Sequence, residues 1–166
     1  MPATFDANVR VGITGVGMAQ AGATAAALIA EHKPQRVVLC GIAGAVGGSL
    51  MQRGDVVQVV RDRVAGLPAE YVIDYTSPAI EGVDFYVNAL TVNRVGEALE
   101  DRWVAESLQF FIEQMEGAAV AAVCRAFGVE YFHLRSISNY VDAPRAEWDV
   151  EGAVKALHKA LATLNL

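Results

Sequence analysis

Residues 112–142 read "IEQMEGAAVAAVCRAFGVEYFHLRSISNYVD", and the reading of this stretch decides the fold. "EGAAVAAVCRAF" (116–127) is a run of small and apolar residues that stops at Gly128, the pattern of a buried helix closed by glycine. "VEYFHLRSIS" (129–138) follows at once and reads as a strand, because aromatic and β-branched residues suit a pleated surface. "LQFFIEQ" (108–114) reads as a strand ahead of the helix. Both later elements look built for burial, yet a charged Glu116 opens one and a polar Ser138–Asn139 pair ends the other.

The same alternation extends upstream. "VRVGITGVG" (9–17) predicts a strand running into a glycine turn, and "MAQAGATAAALIAEHK" (18–33) a helix stopped by Pro34. "RVVLCGIAG" (36–44), "GDVVQVVRDRV" (54–64) and "VDFYVNALTV" (83–92) predict strands. Residues 65–82, broken by Pro68, Pro78 and Gly82, predict an excursion, residues 95–107 have helical composition, and residues 147–164 predict a C-terminal helix exposing Glu151, Lys155 and Lys159. Strands alternating with helices predict a three-layer α/β/α fold around a mostly parallel or mixed sheet. Ligands of such sheets bind beyond the carboxyl ends of strands. Thr14–Gly15, Gly41–Gly44, Gln114–Glu116 and Ser138–Asn139 all fall at such ends.

At 166 residues the chain suits one domain, 1–166, and 54% hydrophobic against 19% charged residues supplies a core. A net charge of −6 without a Lys/Arg block argues against nucleic-acid backbone as a partner. Cys40 and Cys124 lie in apolar runs and read as reduced core residues of a cytosolic protein. His32, His133 and His158 show no metal-ligand spacing, so neither metal nor cofactor is expected. Residues 11–30 carry no charge, a length that spans a bilayer, but four glycines and Gln20 favour strand, turn and helix over a membrane segment. The first ten residues, with Asp6 and Arg10 and no basic run, do not lead one to expect a signal peptide.

"GITGVGMAQAG" (12–22) invites a dinucleotide reading, but Gln20 stands where the third glycine belongs and no acid closes "RVVLCG" to hold a ribose. "GIAGAVGG" (41–48) has four glycines in eight residues; it is either a sharp turn or a backbone surface open to a flat ligand. Glu116 has two readings as well. At a helix start it gains roughly 0.3–1 kcal/mol from the dipole. As an acceptor-only group it also suits the paired hydroxyls of a ribose, with Met115 as an apolar surface for the sugar. Asn139 either bonds local backbone or reads a base edge. A neutral amide can donate to N7 and O6 of a 6-oxopurine, whereas adenine suits a carboxyl group holding one proton.

With these residues in hand, the chain resembles the nucleoside phosphorylase and nucleosidase superfamily. "TGVG" (14–17), "GIAGAV" (41–46), "GDVV" (54–57), "QMEGAAVAAVCRAFGV" (114–129) and "RSISN" (135–139) stand in that family's order. "LTVN" (90–93), "ISNYV" (137–141) and "PRAEW" (144–148) resemble its futalosine hydrolase branch, which releases hypoxanthine from futalosine on a menaquinone pathway. Methylthioadenosine nucleosidases share the fold but carry Asp at the position of Asn139. The resemblance implies that Glu116 holds ribose hydroxyls and that Met115 packs on the sugar. It implies that Asn139 holds the purine edge and assists departure of the base, and that Ala43 and Gly44 lie along the nucleoside. Ile42 stands where adenosine-cleaving relatives have serine, and no arginine precedes "GIAG" to hold phosphate, so water is the expected nucleophile. Family members begin with a further strand and a loop carrying a water-activating glutamate; "MPATFDANVR" offers Asp6 but neither of these. Residues 93–107 are also shorter than usual. The expectation is an N-terminally shortened member without that general base. Its exposed sheet edge would need cover, and the resemblance implies a homo-oligomer, a dimer or larger, in the cytoplasm.

Overall fold

Pro34 cannot continue a helix, and helix α1 (Met18–His32) ends two residues before it, with Lys33 left-handed at φ 47°. The computed structural model describes residues 8–47, 50–83, 85–105 and 110–164. In chain order the elements after α1 are β1 (Arg36–Ala45), β2 (Val56–Val64), β3 (Tyr75–Thr76) and β4 (Phe85–Thr91). There follow α2 (Arg102–Ala105), β5 (Phe111–Gln114), α3 (Gly117–Phe127), β6 (Glu130–Tyr140) and α4 (Val150–Leu161). Most lie within a few residues of their predicted spans. Where a longer helix was expected after residue 95, there is a 3-10 turn, Glu97–Glu100, and the single turn α2.

The predicted strand at 9–17 does not form. Its glycine turn does, with Gly15 and Gly17 at φ 78° and 90°, but residues 9–15 carry no sheet pairing and Val11 and Ile13 stand 73% and 90% exposed. A strand is stable only when a neighbour takes its backbone hydrogen bonds and one face is buried, and among the described residues no neighbour is in place. Asp6 lies outside the described residues, as do residues 106–109 at the start of the predicted 108–114 strand.

The sheet is mixed, in the order β3-β2-β4-β5-β1-β6. The β2–β4, β4–β5 and β1–β6 pairs are parallel, and β1–β5 is antiparallel. Val56–Gln58 of β2 also pairs antiparallel with Leu134–Ser136 of β6, so the sheet curls into closure. Alternation along β1 sends Val37 and Leu39 to the cluster formed with α1 and α3, and Val38 and Cys40 to the cluster around Leu157 of α4. The helices therefore cover both faces. A third cluster, including Met51, Val57, Val87, Ile112 and Ile137, fills the space inside the curl. Each such large side chain contributes roughly 1.5–3 kcal/mol on burial.

One irregularity bears on function. β1 and β6 run in register from Arg36↔Glu130 to Ala43↔Ile137, then resume at Gly44↔Asn139. Ser138 is the extra residue of a bulge, a device that re-aims side chains.

Candidate functional site

A cavity of about 380 Å³ opens where β1, β5 and β6 meet the start of α3. Ala43, Gly44, Met115, Glu116 and Asn139 all line it, so the structure brings together these five candidate site residues. The four polar and glycine clusters expected at strand ends line it too, although among the described residues no strand precedes Thr14–Gly15, and they are joined by Arg135, Arg145 and Trp148.

Glu116 sits at the N-cap of α3. Its carboxylate bridges two elements: the Gly17 N–H donates to Oε1 at 3.0 Å, and Arg135 Nη1 lies 3.2 Å from Oε2. The side chains of Glu116 and Arg135 are only 12% and 4% exposed. Such a buried charge persists because it is both paired and hydrogen-bonded. Gly41 makes room for this pair, since a β-carbon there would overlap the Arg135 guanidinium. Each carboxylate oxygen has two acceptor directions, so one remains on each for a ligand hydroxyl.

Asn139 is buried, and its carboxamide is oriented from both ends. The Ser138 hydroxyl donates to Oδ1 at 2.7 Å, and Nδ2 donates to the Tyr140 carbonyl at 2.9 Å. One amide N–H remains. The sequence reading had this amide donate twice to a purine edge; the tertiary contacts leave it one donor. Gly44 packs against it, with room for a β-carbon only 3.0 Å from Nδ2.

Beneath the cavity floor lies a buried polar network. Arg135 Nε donates to His133 Nε2 at 2.7 Å, Nη2 to Gln114 Oε1 at 3.1 Å, and Nη1 to the Ile42 carbonyl at 3.1 Å. Gln114 Nε2 donates to Asp62 Oδ2 at 2.9 Å, and the Thr91 hydroxyl donates to the same carboxylate. Gln114 Oε1 also accepts from the N–H groups of Glu116 and Gly117, which ties the network to the start of α3. Burial pushes the Asp62 carboxyl up to about 7, against the hydrogen bond from Thr91 and the charge of Arg135. Burial, then the Arg135 charge, holds His133 well below the usual imidazole range, so the ring is neutral. With Nε2 accepting from Arg135, the ring proton sits on Nδ1, 3.7 Å from Asp62 Oδ2. Glu113 also lines the cavity, but both oxygens are taken by the N–H groups of Gly96 and Ala98, and its pKa is raised by burial.

Sequence reasoning missed Arg135, Asp62, His133, Arg145 and Trp148. The available signal was period two: Tyr131, His133 and Arg135 share one face of an apolar strand, where polar groups need partners. Both cysteines are free, and burial raises each thiol to about 11. No helix among the described residues is long and apolar enough to cross a membrane.

Comparison with known proteins identifies the family and the fold. Residues 97–165 match the sequence model of the Phosphorylase superfamily. Futalosine hydrolase of Thermus thermophilus is 30% identical over an alignment that covers 91% of this chain and 78% of that one. Among solved structures, a 5'-methylthioadenosine/S-adenosylhomocysteine nucleosidase of Neisseria meningitidis, in complex with methylthio-immucillin-A, superposes with a TM-score of 0.76 at 18% identity, over 90% of this chain and 77% of that one. A futalosine hydrolase mutant of Helicobacter pylori gives 0.75 at 21% identity, over 89% and 76%. The structures share the fold and the sequence relative shares the lineage: the chain belongs to the phosphorylase superfamily, with a futalosine hydrolase among its relatives.

Proposed function

We propose that this protein is a purine nucleosidase acting on a 6-oxopurine nucleoside of the futalosine type, releasing hypoxanthine. The observation that supports it is the single cavity lined by both Glu116 and Asn139, of a size that suits a small ligand. Glu116 accepts from the two ribose hydroxyls and its charge stabilises the sugar as C1' becomes electron-poor. Met115 packs on the sugar, and Ala43 and Gly44 lie along the nucleoside. The remaining N–H of Asn139 binds the purine edge and stabilises the negative charge that the base takes up, which makes Asn139 the residue assigned to catalysis. The C1'–N9 bond breaks with its electrons going to the base. Water oxygen bonds to C1', and the water's proton ends on the base; the reaction balances with water alone. Asn139, rather than a carboxyl group, argues against an adenosine-type nucleosidase such as those acting on methylthioadenosine or adenosylhomocysteine. The chain forms one nucleosidase-type domain and works as a homo-oligomer in the cytoplasm, a dimer or larger, which light scattering will test. The exposed apolar side chains of Val11, Ile13 and Val16, the last of them lining the cavity, support association.

Incubation with inosine and futalosine, followed by chromatography for free hypoxanthine, tests the activity. Release from either supports it, while adenine release from methylthioadenosine alone sinks it. A second reading, purine nucleoside binding without turnover, is favoured by one observation. Among the described residues lining the cavity the carboxylates are Glu113 and Glu116, and both are already engaged. Lack of a general base slows such reactions by ~10²–10⁴-fold. Calorimetric binding of inosine with no hypoxanthine formed would select this second reading.

A further inference from the structure

We infer that Arg145 recognises the 6-oxygen of the base and so sets the preference for an oxopurine; the inference rests on the purine-nucleoside reading above. A 6-oxopurine edge presents two acceptors, N7 and O6, and Asn139 has one N–H left after its bond to the Tyr140 carbonyl. A second donor is required. The Thr14 hydroxyl donates to the Gly15 carbonyl, the Ser138 hydroxyl to Asn139, and Trp148 Nε1 to the Ala143 carbonyl. Arg135 is committed to Glu116, His133, Gln114 and Ile42. The Arg145 side chain lines the same cavity, and among the described residues it makes no hydrogen bond or ion pair.

The backbone ties its segment to the end of β6, where Asn139 stands. The Asp149 N–H donates to the Ser138 carbonyl at 2.9 Å, and the Ala143 N–H to the Tyr140 carbonyl at 3.0 Å, so residues 141–149 fold back against the end of β6. Arg53 Nη1 pins the turn by donating to the Glu147 carbonyl at 2.6 Å. The guanidinium carbon of Arg145 lies over the Trp148 ring, 4.1 Å from its centroid. A guanidinium held over an aromatic ring still has N–H groups that can donate to a ligand. A guanidinium only donates, so it favours an oxo group and meets the 6-amino group of adenine donor against donor.

Calorimetry with the free bases hypoxanthine, unsubstituted purine and adenine tests this, because free bases carry no sugar or 5' substituent. Wild type should bind hypoxanthine more tightly than purine. Arg145→Met, which keeps an apolar stem on Trp148 at an exposed position, should lower hypoxanthine affinity roughly 10–100-fold, leave purine unchanged and bind adenine no more weakly than wild type, with an unaltered melting temperature. An equal loss for all three bases overturns the inference, as does unchanged hypoxanthine affinity; either leaves the purine reading standing. Failure of wild type to bind any base or inosine overturns both.

Discussion

Glu116 is held in a largely buried position by Arg135 and the Gly17 N–H. Replacement by Gln removes the charge facing Arg135 and the double acceptor facing a ribose. Glu116→Gln should weaken nucleosides by a factor of roughly 10–100 while free bases lose less, since hydrogen bonds to charged groups are worth about 1.5–3 kcal/mol. Equal losses for inosine and hypoxanthine, measured by calorimetry, would reduce Glu116 to a helix-end charge. Asn139 is specified by its neighbours as much as by any ligand. An aspartate there would set a carboxylate oxygen against the Tyr140 carbonyl, so it would have to carry a proton. Asn139→Asp should therefore shift preference from hypoxanthine toward adenine, and competition between the two bases for the site is the measurement. Both residues could be named from the sequence, because an acid at a helix start and an amide at a strand end are local features. Arg135 was harder: its role depends on Glu116, nineteen positions away in the chain.

The turn from β5 into α3 carries the tightest packing around the site. A β-carbon at Gly117 would overlap the Asp62 carboxylate and the His133 ring, and would stand 2.7 Å from Gln114 Nε2. None of these groups can retreat without breaking a buried hydrogen bond. Gly117→Ala should thus cost about 1–3 kcal/mol, the range for overfilling a packed interior, read as a lower urea midpoint with an unchanged slope. The predicted spans of α1, α3 and most strands held because periodicity and breakers act within a few residues. The 9–17 strand did not, because a strand exists only by virtue of its neighbour, and local pattern carries no information on who pairs with whom.

The buried network makes the stability of the whole molecule depend on pH. Asp62 titrates near 7 when folded against an ordinary value of 3.8, so between those limits the native state holds a proton that the unfolded chain has lost. Stability from this group falls as pH rises through that window and is level above it. His133 acts oppositely: its folded pKa is depressed, so its contribution grows as pH rises toward 6.5. Asp62→Asn isolates the first effect. The stability of the variant relative to wild type should improve from pH 4 to 7 and then stay constant, as followed by denaturant unfolding. A flat difference would mean that Asp62 titrates normally.

By itself the sequence determined the order and type of most elements, the covering of a mixed sheet on both faces, and the clusters that meet at its rim. These follow from hydrophobic period and from glycine and proline, which act over short stretches of chain. Only the tertiary structure decided the closure of β2 onto β6, the bulge at Ser138, the pairing of Glu116 with Arg135 and the single free N–H of Asn139. Each of these is a contact between residues whose approach depends on how the sheet curls, and a buried polar group is satisfied by whichever partner that curl delivers.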